Sequence, residues 1–449
     1  MQLDMTRLPF PRALALLAAL LLPHASHAQA PSDGGSLAAS ASPEVASLDA
    51  DLRAILRATG WSDARYGVVV VSLDRGDTLF ALNADESLAP ASNLKLYSTA
   101  AALSYLGPDF RYSTYLIAGG DVRDGVLEGD VVLFGTGDPS VSARMQERAS
   151  AVMDALADSL AMRGVREVRG AVVGDGSFFD AQWRGEGWTA SDLGAAYGAP
   201  VGALSADENL TARRTPVENP VRTAASVLRD ALERRGIAVR GGVRINLDPS
   251  SSPASAYGPA GVAARRGTIV ATHLSPPLRD IASVTNHVSH NLFADAQLKT
   301  AGRAAGGKGS FDAGFRAVRK LLAQAGADTA AVRMHDGSGL SRLDRVTART
   351  TVQLLSFMSR GPLADVYLAS LPGAAEKGGL KRMYGTAAAG NLRAKTGTIH
   401  GVSSLSGYVT SAGGERLAFS IIGNDLPDTH RAKRVEDEIG VRLAEFRRP

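Results

Sequence analysis

Ser92 and Lys95 stand three residues apart where an alanine- and leucine-rich run opens after Pro90 and closes at Gly107-Pro108. Proline suits the first turn of a helix, where its missing N–H would have no intrahelical partner, and Gly-Pro ends one. The spacing predicts a buried helix with both side chains on one face. A hydroxyl beside an amine is a nucleophile beside its base. The difficulty is the amine: with an ordinary pKa of roughly 10.4, only about one lysine in 2,000–3,000 is neutral at pH 7. Lys95 can serve as a base only if burial and a second cation lower that value.

Two later motifs supply what the first lacks. Lys395-Thr396-Gly397-Thr398, at the edge of a predicted strand, brings a second cation. Ser289-His290-Asn291, on a helix predicted over residues 281–301, brings a hydroxyl and an amide. Ser289 can pass a proton between Lys95 and a leaving amine, while Asn291 can hold Lys95 and a substrate amide. Lys395 with Thr396, Gly397 and Thr398 suits the terminal carboxylate of a substrate. Backbone N–H groups at Ser92 and beside Thr398 would form an oxyanion hole, where losing one donor costs on the order of 10²–10³ in rate. Each motif is common alone, but the three in this order are the signature of penicillin-recognising serine enzymes.

Hydrophobic periodicity outlines the elements that must carry them. Arg7 and Arg12 precede an apolar run over 13–22, then Pro23 and small residues, so residues 1–28 are expected to be a signal peptide cleaved after Ala28. The run is too short to cross a bilayer, so the chain is expected to be periplasmic and without a transmembrane anchor. Residues 29–45 read as a linker. A helix over 45–59 places Leu48, Leu52, Ile55 and Leu56 at helical spacing, and a hairpin follows across Asp74-Arg75-Gly76-Asp77. A second hairpin pairs 403–410 with 416–422, ahead of a final helix presenting Val435, Ile439, Leu443 and Phe446. The expected fold is α+β, an antiparallel sheet flanked by helices and assembled from both chain ends. The catalytic domain would comprise 46–109 and 263–449. Residues 110–262, with short strands over 112–117, 131–134 and 168–173 and a Ser/Pro/Ala-rich linker over 249–262, form an inserted α/β domain.

The three motifs, with Asp336-Gly337-Ser338-Gly339-Leu340-Ser341, resemble the low-molecular-mass class C penicillin-binding proteins of peptidase family S13. The resemblance implies a penicillin-recognising, transpeptidase-like fold and a serine D-alanyl-D-alanine carboxypeptidase. Such enzymes also act as endopeptidases on peptidoglycan cross-links, and β-lactams acylate them. Residues 110–173 and the segment Gly187-Trp188…Asp192…Tyr197-Gly198-Ala199-Pro200 resemble the inserted domain of that family. By the same resemblance, Asp192 would meet the free amino group of a diaminopimelate side chain at the cleft rim. Two departures stand out: His290 replaces a common aspartate, and the short passage from Leu210 to Asn219 implies that the usual third β domain is missing or vestigial.

Composition narrows the alternatives. Hydrophobic residues make up 45% and charged ones 21%, as in a globular protein. A net charge of +4 with scattered basic residues and 6% aromatics provides no basic stripe for nucleic acid. There is no cysteine, hence no disulfide or thiolate chemistry. His287 and His290 lack a nearby third ligand, so neither metal nor cofactor is expected. A β-lactamase or esterase on the same scaffold is one alternative, but residues 324–336 hold no glutamate to hydrolyse a penicilloyl ester in the class A manner. A non-catalytic peptidoglycan-binding scaffold is another, and intact Ser92, Lys95 and Lys395 argue against it.

Overall fold

Four consecutive valines, Val68–71, sit in the strand Arg65–Ser72, and alternation divides them between two cores. Val68 and Val70 face the terminal helices, while Val69 and Val71 face the helices of the catalytic centre. The computed structural model describes residues 42–258, 261–264, 267–376 and 380–449. The expected signal peptide and most of the expected linker lie outside the described residues.

The first sheet has five antiparallel strands in the order Arg393–Ile399, Val402–Thr410, Arg416–Asn424, Arg65–Ser72 and Thr78–Leu82. It is built from both chain ends, and the Lys395 strand is its edge. The helix Pro43–Arg57, which begins inside the segment expected to be linker, buries Leu48, Leu52 and Leu56. It packs beside Thr429–Glu445, whose Val435, Ile439 and Leu443 are buried, with Phe446 buried just past the helix end. On the opposite face, Lys95–Leu106 is buried at every residue from Lys95 to Leu103. A helix enclosed on all sides must be apolar all round, which explains its run of alanine, leucine and small hydroxyl residues.

The second sheet is mixed, in the order Val243–Asn246, Val172–Asp175, Val131–Gly135, Ser113–Ala118 and Thr268–Leu274. Its first three strands are parallel, joined through the helices Ala151–Ala161 and Pro220–Arg234, which bury Leu156, Leu160, Leu228 and Leu232 against it. Two differences from expectation concern the return path. Residues expected to be linker include paired strands at Ala254–Gly258 and Gly261–Ala264. The next strand, Thr268–Leu274, then pairs with Ser113–Ala118, so the second sheet extends past residue 262. Between Leu210 and Asn219 the chain makes a tight turn closed by a Leu210–Pro216 bridge.

The helix expected over 281–301 is two helices, Leu278–His287 and Asn291–Ala304. The break falls on the second motif: Ser289 takes a left-handed backbone, φ 56°. Periodicity could not reveal this, because the apolar pattern continues on both sides while a single residue changes direction. A left-handed residue other than glycine costs roughly 1–2 kcal/mol, so surrounding contacts must hold the bend.

Candidate active site

Ser92 lies in the 3₁₀ turn Ala91–Leu94, which runs directly into the helix Lys95–Leu106. The two side chains meet as the spacing predicts: Lys95 Nζ is 3.0 Å from Ser92 Oγ. Lys95 also donates to Asn291 Oδ1 at 2.6 Å and to the Ser338 carbonyl at 2.7 Å. A neutral amine has two hydrogens and one lone pair. The two carbonyl oxygens take the hydrogens, which leaves the lone pair facing the Ser92 hydroxyl. Asn291 is itself oriented, since its Nδ2 donates to the Tyr197 carbonyl at 3.0 Å.

Lys95 is fully buried, and burial is what lowers its pKa, to about 8. Asp295, Asp336 and Asp344 pull the other way. All three are inaccessible to solvent, and burial reinforced by Asp336 holds the carboxyls of Asp295 and Asp344 well above the usual range. That shift towards the protonated form weakens the hold of Asp295 and Asp344 on a Lys95 proton. Desolvation is the largest cause of the Lys95 shift, and the mutual repulsion of the two buried amines shows at Lys395. Burial, then the charge of Lys95, hold Lys395 well below the ordinary lysine value.

Lys395 Nζ donates to Ser289 Oγ at 3.0 Å and to the Thr396 carbonyl at 2.7 Å. The bend at Ser289 thus sends successive motif side chains to the two lysines, Ser289 to Lys395 and Asn291 to Lys95. The Lys395 strand is pinned to the nucleophile turn by Asn93 Nδ2, which donates to the Lys395 carbonyl at 3.0 Å. Gly397 permits that approach: a Cβ there would lie 2.7 Å from the Pro90 carbonyl oxygen and 3.0 Å from Ser92 N. Gly397→Ala should therefore push the strand off the turn. The expected result is slower acylation by a fluorescent penicillin, by on the order of 10²-fold, with folding retained by circular dichroism. Thr396 is half-buried and Thr398 exposed, as the outer end of a binding strand requires.

Behind Lys95, the loop 336–341 is held by carboxylates. Asp336 accepts from the amides of Ser338, Gly339 and Ser341 and from Trp188 Nε1 at 2.7 Å, and Asp295 accepts from Gly337 N at 2.8 Å. This cage aims the Ser338 carbonyl at Lys95.

The model of the D-Ala-D-Ala carboxypeptidase 3 (S13) family matches residues 48–219 and 211–446, nearly all of the described chain. This chain is an S13 peptidase family member. It is 33% identical to the D-alanyl-D-alanine carboxypeptidase of Actinomadura sp. (strain R39), over 97% of this chain and 90% of that protein. The crystal structure of penicillin-binding protein 4 from Haemophilus influenzae, also solved in complex with a β-lactam, has the same fold. Its TM-score is 0.76 at 22% identity, covering 89% of this chain and 99% of that one. A predatory endopeptidase from Bdellovibrio bacteriovorus shares the fold at a TM-score of 0.55 and 18% identity, over 85% of this chain and 93% of that one.

Within this S13 chain, Asp192 is occupied locally. It is buried and caps the short helix Ala190–Gly194, accepting from Thr189 N at 2.8 Å and Thr189 Oγ1 at 2.6 Å. Its other oxygen accepts from the Tyr197 hydroxyl at 3.3 Å, which ties it to the cleft through the Tyr197–Asn291 bond. The two histidines separate: His287 Nδ1 lies 3.0 Å from the Ser283 carbonyl, and His290 turns to Glu208. The Tyr197 and Ser338 carbonyls carry no sequence signal as site groups, because every residue has a carbonyl and only the fold aims it.

Proposed function

We propose that this S13 carboxypeptidase cleaves the D-Ala-D-Ala bond of peptidoglycan stem peptides, and related cross-links, through an acyl-enzyme on Ser92. The observation that carries this is the lone-pair geometry of Lys95, with both amine hydrogens taken by carbonyl oxygens and Ser92 Oγ 3.0 Å away. Ser92 Oγ attacks the carbonyl carbon of the penultimate residue, and its proton passes to Lys95 Nζ. Amides at Ser92 and beside Thr398 receive the oxyanion. The C–N bond then breaks as the departing amine takes a proton relayed through Ser289, leaving an ester on Ser92. Water attacks that ester, Lys95 accepts the water proton and returns it to Ser92 Oγ as the ester C–O bond breaks, and the free acid leaves.

Lys395, Thr396 and Thr398 bind the terminal carboxylate in this reading, and Gly397 keeps the strand close enough for it to be reached. Asp192 is the candidate partner for a substrate side-chain amine. A β-lactam presents an amide and a carboxylate in the same relation and would acylate Ser92. The expected signal peptide puts the enzyme in the periplasm, where its substrate lies; no described helix is long and apolar enough to cross a membrane. Residues 46–109 and 263–449 are the proposed catalytic domain, with the strand Thr268–Leu274 lent to the sheet of the 110–262 insertion.

Digestion of purified sacculi, with products identified by mass, tests this directly. Loss of one alanine from pentapeptides marks carboxypeptidase action, and conversion of cross-linked dimers to monomers marks endopeptidase action. Both should vanish in Ser92→Ala. Wild-type protein that leaves the muropeptides unchanged would contradict the proposal.

A further inference from the structure

His290, the middle residue of the second motif, faces away from the two lysines. Its Nε2 lies 3.2 Å from Glu208 Oε2, and its ring packs against that of Phe293, tilted by 40° with centroids 4.4 Å apart. Glu208 belongs to a turn in which Asp207, Glu208 and Asn209 all have left-handed backbone, φ 47°, 60° and 54°. Three successive left-handed residues, none of them glycine, are costly, and the bonds made there explain why the turn persists. Asn209 Nδ2 donates to the Pro200 carbonyl at 2.8 Å. Glu208 accepts from Arg144 Nε at 2.8 Å and from an Arg214 guanidinium nitrogen at 3.0 Å.

The tautomer of His290 follows from its partners. Nε2 faces a carboxylate and must carry the hydrogen, whereas Nδ1 is buried without a hydrogen-bond partner. A neutral imidazole satisfies that arrangement. An imidazolium would bury an N–H with no acceptor, between the cations of Arg144 and Lys95.

The geometry points to His290 as a positioning residue: its Nε2–H clamps the bend Ser289–Asn291 to the Glu208 turn, and so holds Ser289 on Lys395 and Asn291 on Lys95. This inference rests on the proposed roles of Ser92 and Lys95. It accounts for how a strained Ser289 keeps its conformation between two helices. The Glu208 turn lies in the 110–262 segment, so the clamp also makes the catalytic motif depend on the insertion. The charged groups around His290 are Glu208 from the left-handed turn, Arg144 from the segment after Ser142, Lys95 from the nucleophile helix and, through Glu208, Arg214. Burial lowers the His290 pKa, Glu208 raises it, and Arg144 and Lys95 lower it again, for a net shift below the ordinary histidine value. The Glu208 carboxylate is disfavoured by burial but held well below the usual range by His290 and Arg144, so it stays ionised as the acceptor.

The test is the second-order rate constant for acylation by a fluorescent penicillin from pH 5 to 9, with melting temperatures recorded alongside. His290→Phe keeps an aromatic ring against Phe293 and deletes the donor, and should slow acylation by on the order of 10²-fold. His290→Gln, whose amide can still donate to Glu208, should stay within about threefold of wild type at pH 8. His290→Phe acylating at the wild-type rate, or His290→Gln slowed as much as His290→Phe, would overturn the clamp. If the Phe variant does not fold, His290→Asn, whose amide is too short to reach Glu208, takes its place against His290→Gln: it should be slowed while His290→Gln is not, and equal rates for the two would overturn the clamp. Ser92→Ala separates the two levels: a wild type that is never acylated refutes the nucleophile assignment, whereas a labelled wild type with indifferent His290 variants refutes only the clamp.

Discussion

Ser92→Ala protein should carry no covalent penicillin and release no D-alanine, with kcat lower by on the order of 10⁴–10⁶. Ser92 is a part-exposed hydroxyl facing the lone pair of an amine whose two hydrogens are already taken. Ser289 is also part-exposed with an amine at 3.0 Å, but Lys395 directs one N–H to the Thr396 carbonyl and the other to Ser289 Oγ, which therefore accepts. Removing one oxygen should disturb little else, since Ser92 is not fully buried and the turn is held by Asn93 and by Ser404, whose Oγ donates to the Pro90 carbonyl at 2.7 Å. Mass spectrometry of the intact protein after incubation with penicillin reads the result: a single adduct in wild type, none in the variant. An adduct on the variant would move the nucleophile elsewhere. A wild-type adduct that disappears within seconds would instead favour the β-lactamase reading.

The second large effect concerns Lys95. Lys95→Met fills nearly the same volume without an amine, and acylation should fall by at least the 10²–10⁴ ascribed to a positioned base. In the wild type, the base is the neutral amine. With a pKa of about 8, acylation should be level above that pH and fall tenfold per unit below it. At pH 7 roughly one Lys95 in ten is then neutral, compared with about one in 2,000–3,000 for a lysine in water. Stopped-flow acylation across pH 6–10 gives the midpoint. A midpoint near the ordinary lysine value would mean that burial does not deplete the Lys95 proton.

The apolar spacing of the terminal helices was legible without coordinates, because burial on one face imposes a period that composition must follow. The same holds for Ser92 and Lys95: at i and i+3 they are neighbours by helix geometry alone, whatever surrounds them. The bend at Ser289 was not legible, since one left-handed residue leaves the flanking apolar pattern unbroken. Nor was the strand Thr268–Leu274, whose partner Ser113–Ala118 lies some 150 residues earlier.

Residue types and order along the chain thus determined which groups are available: a hydroxyl, two amines, an amide, and a strand ending in Thr-Gly-Thr. Tertiary structure alone decided their chemical state. Lys95 gives up its proton more readily because other elements enclose it, and the carbonyls that orient its lone pair come from Asn291 and Ser338, some 200 and 240 residues away. Asp192 caps its own helix, and His290 looks outward to Glu208 across the insertion. Desolvation and hydrogen-bond direction depend on which atoms the folded chain brings together, and no local pattern encodes that.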